Sequence, residues 1–179
     1  MKLKKRFLAG GLALTLFFAA CNKDDDNDTA SAQDRTFIAQ ASMSNNAEIQ
    51  MGNLALTKSS DAGVRKFAQM MVTDHTAAQA DLRNITNNLS ISISDTIGTA
   101  NTNLMTLLGG LSGRAFDTVY IKNQRTAHQL TLANFQTEIS NGSHPQVKGY
   151  ASDKLPAIQM HLNMTDTIYT RIKLEAAFY

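Results

Sequence analysis

The stretch from Val64 to Leu89, VRKFAQMMVTDHTAAQADLRNITNNL, decides the fold. Val64, Ala68, Met71, His75, Ala78, Leu82, Ile85 and Leu89 recur at alternating steps of four and three residues. That spacing puts all eight on one face of an α-helix and excludes a strand, whose side chains alternate with a period of two. It predicts a helix from about Asp61 to Leu89. One member of this apolar face, His75, is polar, and it sits at the middle of the segment.

The same period extends to both sides. A first helix is expected over Asp34 to Lys58, with Phe37, Ala41, Ser44, Glu48, Met51 and Ala55 on one stripe. A third spans Gly113 to Asn141, carrying Asp117, Ile121, Gln124, His128, Leu132, Phe135 and Ile139, with Gly142 as its natural stop. A fourth starts at Pro145, a residue suited to a first helical turn, and carries Val147, Ala151, Ile158, His161, Thr165, Ile168 and Ile172. Pro156 inside it removes one backbone hydrogen bond and is expected to kink it.

Two or three residues join the first helix to the second and the third to the fourth, so each pair is an antiparallel hairpin. The segment from Ser90 to Ser112 is longer; Ile91-Ser-Ile93-Ser alternates like a strand, and Ala100 to Leu108 suits a short helix. It is long enough to run the length of a helix of about 42 Å. Two hairpins and one long crossover predict an all-α, ferritin-like four-helix bundle over residues 34–179, the crossover lying between helices 2 and 3.

The remainder of the 179-residue chain reads as address rather than fold. Lys2, Lys4, Lys5 and Arg6, the apolar run Phe7 to Phe18 and the small residues Ala19 and Ala20 form a secretory signal peptide over residues 1–20, too short to span a bilayer. Cys21, the sole cysteine, follows directly and resembles the acylated first residue of a mature bacterial lipoprotein. Residues 21–33, with Asp24, Asp25, Asp26 and Asp28, then read as a solvated acidic tether. These features predict an exported protein held in the cell envelope through a lipid at Cys21, most simply at the outer membrane, on its periplasmic face or at the cell surface. Beyond residue 20 the chain has 13 basic and 15 acidic residues, so the formal charge of +2 belongs to the leader and does not point to nucleic acid. One cysteine excludes a disulfide framework and a CxxC zinc site.

Glu48, His75, His128 and His161 each lie within about two residues of the middle of their helix, so they converge at one depth, whereas His144 lies in a loop. One carboxylate and three imidazoles at mid-bundle could bind one first-row transition-metal ion: zinc, iron, nickel or copper. Asp74, Asp117 and Tyr120 are candidates for orienting the ligands from behind, and Met71, Met160 and Met164 for biasing the site toward copper. The competing reading is a non-catalytic structural or adaptor lipoprotein whose core histidines are only hydrogen-bonded. Carboxylate-bridged di-iron chemistry is not expected, because the chain contains no Glu-x-x-His. No G-x-S-x-G or phosphate-binding glycine loop is present, and no catalytic residue is assigned.

Several strings together resemble the bacterial family "domain of unknown function 4142". They are Phe37-Ile38 with Asn46-Ala47-Glu48-Ile49, Gly52 and Ala55; Val64, Phe67-Ala68, Met70, Met71 and Asp74-His75; Phe116-Asp117, Tyr120-Ile121 and His128; and Ala151, Leu155-Pro156 and His161. The resemblance runs from residue 35 to 179 and implies a ferritin-like bundle in the cell envelope, with no established activity. The sequence departs from the family pattern between Ser90 and Leu108, where a Pro is common and none occurs.

Overall fold

The computed structural model describes residues 29–177, so the signal peptide, Cys21 and most of the acidic tether lie outside the described residues. Five helices follow in order: α1 Ala32–Lys58, α2 Ala62–Asn88, α3 Gly98–Gly109, α4 Gly113–Asn141 and α5 Pro145–Ala177. There is no strand among the described residues. None of their helices is long and apolar enough to cross a membrane.

The first helix begins two residues before its expected start. Ser31 accepts from the Asp34 backbone N–H while the Asp34 carboxylate accepts from the Ser31 N–H, a reciprocal cap that draws Ala32 and Gln33 into the helix and shortens the tether. Asp61 caps α2 through Val64 N–H. Pro156 does not interrupt α5. Both it and Ser152, whose carbonyl it leaves without a helical donor, are exposed, so the lost bond strands no buried polar group.

The four long helices contact in a ring, α1 on α2, α2 on α5, α5 on α4 and α4 on α1. Their directions follow from the contacts at the two ends. Asp34, at the start of α1, accepts from Ser143 N–H at 3.0 Å and His144 N–H at 3.1 Å, beyond the end of α4. Arg171, near the end of α5, donates to Asp61 before α2 at 2.7 Å. Hence α1 and α5 run one way, α2 and α4 the other, and residues 89–112 carry the chain from one end to the other. Ile91 and Ile93 do alternate with exposed serines, but they rest on the helices as extended chain and pair with no strand. Gly98 opens α3 at φ 76°, a left-handed conformation that favours glycine, and a Cβ there would also press on the flexible Met43 side chain.

Two apolar clusters fill the interior. One, near the α1–α2 turn, contains Met51, Ala55, Val64, Phe67, Met71, Phe116, Tyr120 and Ile121. The other, at the opposite end, contains Phe37, Ile38, Ala41, Leu82, Phe135, Val147 and Tyr150, with Phe37 edge-on to Phe135 at 4.8 Å. Beyond the second cluster Asp34 and Glu138 share one buried corner. Burial raises the Asp34 carboxyl, but hydrogen bonds from Ser31, Glu138 and Ser143 outweigh it and hold the group well below the usual range. Burial and the Asp34 charge push Glu138 up to about 7. Glu138 therefore keeps its proton to a much higher pH than Asp34 does.

Gly52 sets the separation of α1 and α2, because a Cβ there would lie 2.9 Å from Val72 Cγ2 and 3.0 Å from the Ala68 carbonyl oxygen. In an open helix Gly→Ala stabilises by about 1 kcal/mol. Here Gly52→Ala should instead lower stability by about 1 to 3 kcal/mol, the range for overpacking, as read by urea unfolding.

Candidate metal centre

Between the two clusters lies a polar layer. His75 from α2, His128 from α4 and His161 from α5 are 6%, 2% and 1% exposed, and their ring centroids are 5.3 to 6.0 Å apart. One ring nitrogen from each lies within 4.8 Å of the other two. Nitrogens bound to a shared metal at about 2.0 to 2.1 Å stand about 3.4 Å apart, so a movement of about 1 Å brings them into range.

Each ring is held from behind by an acceptor. His128 Nδ1 donates to the Gln124 carbonyl at 2.8 Å, and His161 Nε2 donates to the Asp74 carboxylate at 2.9 Å. His75 Nδ1 lies 2.9 Å from Asn45 Oδ1. The polarity of that last bond is fixed at a distance. The Ser94 carbonyl, in the crossover, can only accept, so Ser42 donates to it; Ser42 Oγ then accepts from Gln79 Nε2 at 2.9 Å. Gln79 Oε1 accepts from Asn45 Nδ2 at 3.1 Å, which leaves Asn45 Oδ1 to accept from His75. Asn45 Nδ2 also donates to the Tyr150 hydroxyl.

With those nitrogens protonated, neutral rings present lone pairs at His75 Nε2, His128 Nε2 and His161 Nδ1. These three buried atoms have no hydrogen-bond partner. Burial, reinforced by the other two imidazoles, pushes the His75 pKa well down; burial also lowers His161, with the Asp74 carboxylate opposing. Three buried histidines with oriented rings and ring nitrogens close together have the chemistry of a metal-ion site.

The expected residues divide accordingly. His75, His128 and His161 meet, and Asp74 supports His161. Glu48 is buried beside His128 and Gln124, but its carboxylate is not in the group of mutually close donor atoms; burial raises its pKa. Tyr120 faces Glu48 and stacks on Phe116 at 5.6 Å, away from the imidazoles. Asp117 belongs to the end of the bundle beside Ser59, Asp61 and Arg171. It is 11 residues before His128 in α4, about 16 Å along the axis, and so cannot orient it. Met160 is 45% exposed and turned away, whereas Met71 is fully buried and Met164 packs on the same cluster. The sequence reading missed Asn45, Gln79, Ser42 and Tyr150. Their signal was present as polar side chains recurring on the apolar faces, Gln79 one turn after His75 and Asn45 one turn before Glu48.

The sequence matches the model of the family described as domain of unknown function DUF4142 over residues 19–168. The chain belongs to this family. No curated protein matches it by sequence. Among solved structures, a DUF305 fragment from Deinococcus radiodurans aligns with TM-score 0.71 and 12% identity, over 80% of this chain and 99% of that one. A Streptomyces coelicolor DUF305 protein, named as secreted, gives 0.67 and 12% over 82% and 95%. CopM in its Cu(II)-bound form gives 0.63 and 16% over 77% and 96%. At these identities the likeness is one of fold.

The depressed imidazole pKa values give the metal-free DUF4142 chain a defined pH dependence. Below about pH 6.5 the unfolded chain takes up protons that folded His75 and His161 refuse, so their contribution to stability is lost as pH falls through that value. Urea unfolding at pH 8, 6.5 and 5 should show the wild type losing stability toward acid relative to His75→Asn.

Proposed function

We propose that this DUF4142 protein is an exported, lipid-anchored envelope protein whose ferritin-like four-helix bundle holds one first-row transition-metal ion on His75, His128 and His161. The observation that carries the metal reading is three buried histidines that each bring one ring nitrogen within 4.8 Å of the other two, and that each have one ring nitrogen held by an acceptor and the other unpartnered. An unpaired buried polar atom costs about 1 to 3 kcal/mol, and a shared cation would relieve three such nitrogens at once, whereas the unpartnered His144 Nδ1 lies apart from them beyond the end of α4.

A site of three imidazoles suits copper or zinc better than magnesium or calcium, which prefer oxygen. The Cu(II)-bound state of CopM, which shares the fold, favours copper. When bound, the ion supplies Lewis acidity and, if it is copper, a one-electron couple. The chain's own residues do the rest: Asn45, the Gln124 carbonyl and Asp74 orient the three rings, and the apolar clusters on either side exclude bulk water.

Equilibrium dialysis of the purified full-length protein against Cu(II) or Zn(II), with elemental analysis, should find about one ion per chain and a raised melting temperature. Any one of His75→Ala, His128→Ala or His161→Ala should remove the melting shift, while His144→Ala should keep it. Affinity should fall toward acid as protons compete for the rings, at a pH below that of a free imidazole because burial holds His75 and His161 down. Absence of bound ion, with equal melting in its presence and absence, would leave the structural lipoprotein reading.

The envelope location rests on the lipoprotein-like junction at Cys21 and on the secreted relative of the same fold. Expressed in a Gram-negative host, the wild type should partition into detergent with membranes, whereas Cys21→Ser should not. Identical partitioning of the two would remove the lipid anchor from the proposal.

A further inference from the structure

Five hydrogen bonds lead from the crossover to the histidine layer. Ser42 Oγ donates to the Ser94 carbonyl at 3.2 Å and accepts from Gln79 Nε2 at 2.9 Å. Asn45 Nδ2 donates to Gln79 Oε1 and to the Tyr150 hydroxyl, each at 3.1 Å, and His75 Nδ1 closes the chain on Asn45 Oδ1 at 2.9 Å. Ser42, Asn45, His75, Gln79 and Tyr150 are all buried, whereas Ser94 is exposed.

Every link but one can run in either direction. A primary amide turned over exchanges a donor for an acceptor in nearly the same volume, and a hydroxyl rotates to donate or to accept. With the amides of Gln79 and Asn45 both turned over, Ser42 donates to Gln79 Oε1, Gln79 Nε2 and the Tyr150 hydroxyl donate to Asn45 Oδ1, and Asn45 Nδ2 donates to His75 Nδ1. Four of the five contacts are thereby remade. The imidazole then accepts at Nδ1 and carries its proton at Nε2, the atom that has no partner in the observed arrangement. Only the contact with Ser94 is lost, because a backbone carbonyl cannot donate.

We propose that the crossover switches the tautomer of His75: seated on Ser42, the Ser94 carbonyl holds the imidazole proton at Nδ1, and with Ser94 withdrawn both amides turn over and the proton moves to Nε2. The ring takes one proton from water at Nε2 and gives one to water from Nδ1, so its charge does not change. Ser42 is thus a positioning residue that acts through Gln79 and Asn45, and residues 89–112 are the element that sets it. The segment around Ser94 is suited to the task, since Ser94, Asp95 and Thr96 are exposed and the grip on α1 is limited to Ser42 and the neighbouring Met43 against Gly98. A ring protonated at Nε2 has no lone pair there for a cation, so on the metal reading above the crossover also gates binding. The tautomer is defined without metal, and the two readings therefore fail separately.

The test uses the metal-free, nitrogen-15-labelled full-length protein at pH 8, with the proton–nitrogen correlations of the imidazole rings as the readout and His75 assigned by its loss in His75→Gln. The wild type should carry the His75 proton at Nδ1. Ser42→Ala leaves Gln79 Nε2 without an acceptor, and turning the amide over puts a carbonyl there, which is better tolerated unpaired than an N–H. The ratio of Nε2–H to Nδ1–H should therefore rise about ten-fold, the scale of one hydrogen bond. Gly98→Ala, which strains the left-handed turn four residues after Ser94 and presses on Met43, should raise the ratio without removing any member of the network. Tyr150→Phe removes one bond from both arrangements and should leave the ratio at the wild-type value. A wild type protonated at Nε2, a Ser42→Ala variant that keeps the wild-type ratio, or a Tyr150→Phe variant that changes it as much as Ser42→Ala overturns the inference. If Ser42→Ala fails to fold, an unchanged ratio in Gly98→Ala overturns it instead.

Discussion

The hydrogen bond between His75 Nδ1 and Asn45 Oδ1 is the point through which the layers of this fold are tied together. Apolar helix faces pack adequately at several relative heights, since a Leu or Ala one turn away presents a similar surface. A buried amide or imidazole does not slide in that way. Asn45 binds α1 to Gln79 and His75 of α2 and to Tyr150 of α5, and His161 binds α5 back to Asp74 of α2. Moving any of these helices by one turn would strand several buried polar atoms, each at a cost of about 1 to 3 kcal/mol. The polar layer thus fixes the register that the apolar clusters leave loose, and the crossover joins it through the Ser94 carbonyl.

That arrangement explains which parts of the molecule were legible from sequence. The stripe from Val64 to Leu89 needs only local geometry to be recognised, and the helix found there ends within one residue of expectation on either side. The three histidines converge because each lies near the middle of a helix of similar length, so depth in a bundle is readable from counting. Rotation about each helix axis is harder. Glu48 shares the depth of the histidines, yet its carboxylate falls outside their group, and Asp74, one residue from His75 and about 100° around the helix, reaches His161 of a neighbouring helix instead. The Asn45–Gln79–Ser42 chain needs three partners at once, and nothing in a one-dimensional pattern pairs residues more than thirty positions apart.

Asp117 and Met160 show the opposite error. Both lie near chemically suggestive neighbours in sequence, but Asp117 serves the corner where Ser59, Asp61 and Arg171 meet, and Met160 looks into solvent. Capping also escaped the periodicity argument. The Ser31–Asp34 box starts α1 at Ala32, and the same Asp34 collects the Ser143 and His144 N–H groups beyond α4. One carboxylate therefore caps a helix and fastens the opposite hairpin, and its charge, with burial, raises Glu138 beside it so that the second negative charge is resisted.

The electrostatics of the centre follow the reverse rule. At the corner, backbone and hydroxyl donors converge on a carboxylate and stabilise charge; in the middle, carbonyl and carboxylate acceptors stand behind the imidazoles and leave lone pairs facing one another. Neutral rings tolerate that geometry because each gives up only one hydrogen bond, while protonating any of them would bring positive charges together in a region with little water. A cation placed between the lone pairs satisfies all three at once and returns what burial withheld. Glu48, buried beside His128 but outside the group of close donor atoms, has its carboxyl raised by burial.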